Sequence, residues 1–465
     1  MACSVEVTAT PVAICLSHHS AHSLCLERLG GLNFVRGTHL RSSPYPSNPA
    51  LPRFAGISAL TTSPNIEDEL IGITDLGAWT TLRKQQLGTY NVTLSSLLDD
   101  EGRPLAARGK EWSDAEGLTR VSDSLLVSFE RQHRVWKYYA PEHAGVLPGT
   151  ANRLDTALDV ALSVALSSCD GGGRGNNGVE ALEMLNETHL LAICEGPERG
   201  HSESSAPSFV FDMRPASSTT VADRVRRARY ELSDGFAPTA LARLPADQET
   251  GASRGMLVLE RAYDPSFGSS ARLRWLPSAD VDAAARGDGP TLSGPLLLEL
   301  LPTHHVVDNF EGMAVVRSED GHAAQVYLIS DDNASPSQRT LLFEFHLPLD
   351  PLPSPIVPSM PPLSADDMLH LALGLVLAIL FAVGACIFCR NGCPMVRRRL
   401  PRCCWALRQG HSDRMLDGCN ANSCSTTVSP PPLPDRMATL EIVPALHACQ
   451  QSTSDESSRS EAPLH

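Results

Sequence analysis

The chain is 465 residues long, 42% of them hydrophobic, with a formal net charge of -15 at pH 7. That length suits one large domain with appendages. The acidic balance argues against a nucleic-acid partner, which needs clustered Lys and Arg, and surplus carboxylates suit hard cations instead.

Residues 1–29 form an N-terminal segment. Its apolar patch, residues 11–16, is short, follows Glu6 and lacks a basic lead-in, so it reads as a weak export signal. Across residues 30–347 one pattern recurs: a small or acidic turn, an apolar patch, then a β-rich run ending in a carboxylate. The copies read GISALTTS…LIGITD from residue 56, AEGLTRVSDSLLVSFE from 115, VEALEMLNETHLLAICE from 179, PTALARL…GMLVLE from 238 and FEGMAVVRSEDGHAAQVYLISDD from 310. Their starts are 59, 64, 59 and 72 residues apart. Short apolar runs separated by polar turns fit antiparallel strands better than helices. A unit of this length holds four strands, and a ring of such sheets leaves only short, protected edges. The expectation is an all-β domain, a β-propeller of five to six blades. A sixth blade would be split between residues 34–40 and 340–346, and the helical stretch 154–168 reads as an insertion.

Residues 348–367 are proline-dense and read as a semi-rigid stalk. Residues 368–389, MLHLALGLVLAILFAVGACIFC, carry no charge and are long enough to cross a bilayer as one helix. Asp366 and Asp367 precede them, while Arg390, Arg397, Arg398, Arg399 and Arg402 follow. Positive flanks stay cytoplasmic, so the large domain is expected outside the cell or in a lumen. The tail, residues 390–465, reads as disordered. Its SPPPLP stretch, residues 429–434, is a candidate ligand for a cytoplasmic SH3-type partner. Three sequons, at Asn91, Asn186 and Asn333, lie on the predicted lumenal side. Cys169 and Cys194 are either a disulfide of an exported domain or two buried thiols.

The repeat acids carry the chemistry. Strand ends supply Asp75, Glu130, Glu195, Glu260, Asp331 and Asp332, while opening turns supply Glu116, Glu180 and Glu311. Equivalent positions in a propeller lie at equivalent heights around its axis. These acids are therefore read either as a Ca²⁺ site completed by Asn309 and Asn333, or as blade-to-blade salt bridges. Arg131 and Arg261 directly follow Glu130 and Glu260.

The segments SDAEGLTR…LLVSFERQHRVWKY, NNGVEALEML…LLAICEGP, SDGFAPTALARL…LVLERAYDP and VDNFEGMAVV…YLISDDNASPSQRTLLFEF resemble the phytase-like family, also described as "esterase-like activity of phytase". The resemblance covers roughly residues 50–347 and implies a β-propeller that hydrolyses phosphomonoesters or other esters. Leu76 and Ala240 stand where the family's pattern leads one to expect Arg and an acid. On this reading Asp75, Glu116, Glu180, Glu311 and Asp332 hold the metal. Glu130, Glu195, Glu260, Arg131 and Arg261 serve as acid, base and oxyanion support for a small ester substrate. A non-catalytic ectodomain that binds a ligand or protein partner is the alternative. GRGNNG, residues 173–178, lacks the strand-to-helix context of a dinucleotide loop, and no HExxH, Walker A or GxSxG motif occurs.

Overall fold

The computed structural model describes residues 3–352, except 17–25, 27, 28, 43–51, 64, 65, 67, 86–88, 141, 142, 144, 145, 170–177, 198–203, 215–220, 234 and 290. The apolar segment 368–389, the tail and most of the stalk lie outside the described residues. Among the described residues, no helix is long and apolar enough to cross a membrane.

Two strands open the chain, β1 (Cys3–Val12) and β2 (Asn33–Ser42). The first repeat unit then runs through β3 (Ile57–Thr62), β4 (Glu69–Thr74), β5 (Ala78–Lys84) and β6 (Tyr90–Ser96). After the short helix α1 (Lys110–Ser113), the second holds β7 (Ala115–Val121), β8 (Ser124–Phe129) and β9 (Arg134–Tyr139). Helix α2 (Thr156–Leu166) leads into the third, β10 (Val179–Met184), β11 (His189–Cys194), β12 (Ser205–Asp212) and β13 (Val225–Glu231). The fourth has β14 (Ala237–Arg243), β15 (Met256–Asp264) and β16 (Gly268–Leu276). A short β17 (Thr291–Leu292) then joins the third sheet, and β18 (Leu296–Leu300) completes the fourth. The fifth is β19 (Asn309–Arg317), β20 (Ala323–Asp331) and β21 (Thr340–Pro348), with β2 as its outer strand.

The first strand of each unit packs against its neighbours in cyclic order: β3, β7, β10, β14, β19 and back to β3. The arrangement is propeller-like and mostly β. Each gap between successive sheets is filled by its own apolar cluster. Ile71, Ile73 and Trp79 meet Leu125, Val127 and Tyr138 between the first and second sheets. Leu257 and Leu259 face Phe310 and Val326 between the fourth and fifth, while Met256 and Val258 face Leu191 and Ile193 of the third. Side chains alternate along a strand, so a sheet buried on both sides reads as an unbroken apolar run. That is why these strands lack the polar-apolar alternation of a surface sheet.

One expectation changes. The strands read as a split sixth blade, within 34–40 and 340–346, complete the fifth sheet instead: β2 pairs with β21. Within the N-terminal segment 1–29, residues 3–12 form β1, which pairs with β2 on one side and β6 on the other. It thereby joins the fifth and first sheets into nine continuous strands. Of the two readings left open for Cys169 and Cys194, the disulfide is the one formed. Helix α2 occupies the expected insertion, and its buried Leu158, Leu162 and Leu166 pack between the second and third sheets.

Candidate active site

All five inner strands carry a β-bulge at the same point. Ser58, Glu116, Glu180, Thr239 and Glu311 are each the extra residue, skipped in pairing with the following strand. A bulge takes a side chain out of strict alternation and re-aims it. The residue after each bulge is small: Ala59, Gly117, Ala181, Ala240 and Gly312. At Gly117 a Cβ would lie 2.6 Å from the Glu180 carbonyl oxygen, and at Gly312 3.1 Å from the Ala59 carbonyl carbon. Small residues therefore let the inner strands close on one another, and three of the five bulges turn a glutamate toward the axis. Ala240 is accordingly not a lost acid. The bulge position of that unit is Thr239.

A second set of equivalent positions comes from the ends of the neighbouring strands. Asp75 donates its amide to Gly56 at 2.9 Å, Glu130 to Asp114 at 3.0 Å and Glu195 to Gly178 at 3.1 Å. The matching pairs in the fourth and fifth units are Arg261 opposite Ala237 and Asp331 opposite Asn309. The set is thus Asp75, Glu130, Glu195, Arg261 and Asp331, four acids and one arginine. Two residues ahead of the glutamate bulges, Asp114 and Asn309 add polar groups of their own.

Two charge systems organise these side chains. Around Arg261, Nη1 donates to Asn309 Oδ1 at 2.8 Å and lies 3.5 Å from Glu311 Oε1. Its Nη2 donates to Glu195 Oε1 at 3.1 Å and lies 3.8 Å from Glu180 Oε1. Around Asp114, Arg131 Nε donates to Oδ2 at 2.6 Å, and Lys110 Nζ lies 2.9 Å from Oδ1. Lys110 also binds Asp75. Asp114, Glu116 and Glu130 each offer a carboxylate oxygen within 4.8 Å of the others.

Burial dominates the titration of the group. It lifts Glu116 well above the usual carboxylate range, helped by the nearby Glu180 and Glu311. Glu180 is lifted similarly, by burial and then Glu195. Burial, Asp114 and Glu195 push Glu130 up to about 8, and burial, Glu311 and Asp75 push Asp331 up to about 9. Glu311 rises to about 7 because burial outweighs the opposing Arg261. Unpaired like charges out of water favour the protonated form, which is the physical content of these shifts.

Several predicted site residues sit elsewhere or do other work. Glu260 is one register position short of the site and faces the third sheet, bound to Tyr230 Oη at 2.8 Å and Arg274 Nε at 2.8 Å. It belongs to a structural pair, not to the acid set. Asp332 clasps the fifth sheet to the first: Oδ1 accepts from the amides of Gly56 and Ala334, each at 3.0 Å, and Oδ2 from Thr340 Oγ1 at 3.1 Å. Those three bonds give Asp332 a structural role beside the acid set. Asn333 is exposed in the turn, its amide donating to Asp331. Arg131 pairs with Asp114, and Arg261 turns away from the adjacent Glu260. Asp75, Glu116, Glu130, Glu180, Glu195 and Glu311 converge as expected. Lys110 and Asp114 are additions to the expected set, although D-x-E-G in the second unit and N-x-E-G in the fifth share one spacing that marks Asp114 and Asn309 together.

The set can hold a hard cation. Eight carboxyl groups (Asp75, Asp114, Glu116, Glu130, Glu180, Glu195, Glu311 and Asp331) are met by three cationic side chains, Lys110, Arg131 and Arg261. Glu180 is 7% exposed and its Oε2 has no hydrogen-bond partner, and neither has Asp75 Oδ1. A surplus of carboxyl oxygens over cationic partners, available on ionisation, matches what Ca²⁺ or Mg²⁺ requires.

The family described as "Phytase-like: Esterase-like activity of phytase" matches residues 52–334. No curated protein matches the chain. Several solved structures of low identity match the chain in part. Glutaminyl cyclase of Myxococcus xanthus is 11% identical, over 68% of this chain and 95% of that one, with a TM-score of 0.30. The β-propeller domain of Cps50 (Swd1) from Myceliophteria thermophila is 9% identical over 67% and 77%, with a TM-score of 0.28. A chain of a nidogen/laminin complex is 8% identical over 64% and 86%, also at 0.28. Likeness at this level says nothing of activity.

Proposed function

The chain belongs to the phytase-like family, and from that premise we propose that its ring of buried acids is the active site of a cation-assisted ester hydrolase. One observation carries the reading: Asp114, Glu116 and Glu130 present oxygens within 4.8 Å of one another, beside the buried Glu180. Those three residues, supported by Glu180 and Asp75, would hold Ca²⁺. When bound, the ion would polarise a phosphoryl or acyl oxygen and favour ionisation of water.

The chain's own groups supply the rest. Glu311, pushed up to about 7, can exchange a proton near neutral pH, which suits general acid-base work. Arg261 has a buried Nε without a hydrogen-bond partner, and its guanidinium, fixed by Glu195 and Asn309, is placed to stabilise a developing oxyanion. Lys110 and Arg131 hold Asp114 in place.

We extend the proposal to location. The apolar segment 368–389 would tether the domain on the extracytoplasmic side, with Arg390 and the arginines after it in the cytosol. The Cys169–Cys194 disulfide supports an oxidising compartment, and exposed Asn91 and Asn333 are accessible to glycosylation there.

The full chain, assayed on phosphomonoesters and carboxylic esters with Ca²⁺ and with chelator, tests the reading. Chelator-sensitive turnover that is lost in Glu311→Gln supports it. No turnover of either substrate class rejects it and leaves a binding ectodomain.

A further inference from the structure

The β15–β16 hairpin carries two large aromatic side chains that no core explains. Tyr263 and Phe267 are 69% and 68% exposed, the most exposed large apolar side chains among the described residues. Their setting is ordered. Asp264 Oδ1 accepts from the amides of Ser266 at 2.7 Å and Phe267 at 3.1 Å, which pins the turn. Arg261 is followed by three further strand residues, and pairing continues without a bulge through Tyr263–Ser269 and Asp264–Gly268. In the first three units the corresponding second strand ends just before Asp75, Glu130 and Glu195. The fourth hairpin therefore overreaches the level of the acid set.

Alternation fixes the direction. Leu257 and Leu259 face the fifth sheet, Arg261 continues that face toward Asn309 and Glu311, and Tyr263 is the next residue on it. Two residues along a strand span roughly 7 Å, about the length of one aromatic ring with its substituent bond. An ester carbonyl beside Arg261 would place a one-ring substituent alongside Tyr263.

We propose that Tyr263 and Phe267 form an aromatic lip that selects neutral carboxylic esters bearing a flat apolar group. The assignment rests on the hydrolase reading above and names its substrate class. The two ring faces offer apolar surface and no charge, which suits a flat neutral group better than a polyanion. Hydrolysis adds the water oxygen to the acyl carbon, breaks the acyl carbon–oxygen bond and leaves a proton on the departing alcohol oxygen. The products are a carboxylic acid and an aryl-bearing alcohol.

The test compares benzyl acetate with ethyl acetate on the full chain, since the two alcohols leave with similar ease. The wild type should prefer benzyl acetate about tenfold in kcat/KM, mainly through KM. In the Tyr263→Ala/Phe267→Ala double variant the ratio should fall toward one. An unchanged ratio overturns the lip. If neither ester is cleaved, the hydrolase reading fails by itself and binding of uncleavable N-benzylacetamide decides. Binding weakened in the double variant upholds the lip, whereas no binding, or equal binding by both proteins, overturns it.

Discussion

Arg261 holds in the fourth sheet the register position that Glu195 holds in the third, and it donates to that same Glu195 at 3.1 Å. One member of a set of otherwise acidic equivalents thus acts as counter-charge to the others. Removing it leaves Glu180, Glu195 and Glu311 facing one another. Arg261→Met should therefore destabilise the domain by about 3 kcal/mol at pH 8, the scale of a broken buried ion pair. Denaturant titration measures it, and the loss should shrink near pH 5 as the acids take up protons.

Stability should also depend on pH in a defined direction. Acids whose folded-state pKa is raised bind protons more tightly when folded. Their contribution is complete below the ordinary carboxylate range and is lost as pH rises through about 7 for Glu311, about 8 for Glu130 and about 9 for Asp331. In chelator, the thermal midpoint should fall steadily from pH 5 to pH 9. A flat profile would show that these groups are not buried together.

Glu116→Gln separates charge from shape. It removes one negative charge from the crowd while keeping volume, so the chelated variant should melt at least as high as wild type at pH 8. The Ca²⁺-induced rise in melting temperature should disappear with it.

The small-residue ring makes a steric prediction. In Gly117→Ala the new methyl would lie 2.3 Å from Ser128 Oγ and 2.6 Å from the Glu180 carbonyl oxygen. Strands β7 and β10 would have to separate, at about 1–3 kcal/mol. Alanine is already present at the equivalent positions of β3, β10 and β14, so Ala181→Gly should cost less. Paired denaturation curves measure the contrast.

Much of this arrangement is visible in the residue pattern because each unit repeats one local instruction. A bulge residue, a small residue and a buried Leu or Met recur as S-A-L, E-G-L, E-A-L, T-A-L and E-G-M. What stays hidden depends on register and distance. Glu260 and Arg261 are neighbours in the chain, yet one step along a strand reverses the face, and only pairing shows which of them reaches the axis. Asp332 extends the repeat's acidic run, but that run does not show that its oxygens accept from Gly56, Ala334 and Thr340. Closure of the ring by β1 and β2 joins residues about 300 positions apart, which no local spacing encodes. Lys110 enters from a four-residue helix outside the repeat.

The claim that these acids form a cation site is tested most directly by calorimetric titration of Ca²⁺ into the chelator-stripped full chain at pH 8, in two buffers of different ionisation enthalpy. Saturable binding that releases protons, and that Glu116→Gln and Glu130→Gln each abolish, is the expected result, since raised-pKa ligands must ionise to bind. Heat without saturation, or equal binding by wild type and both variants, would contradict it.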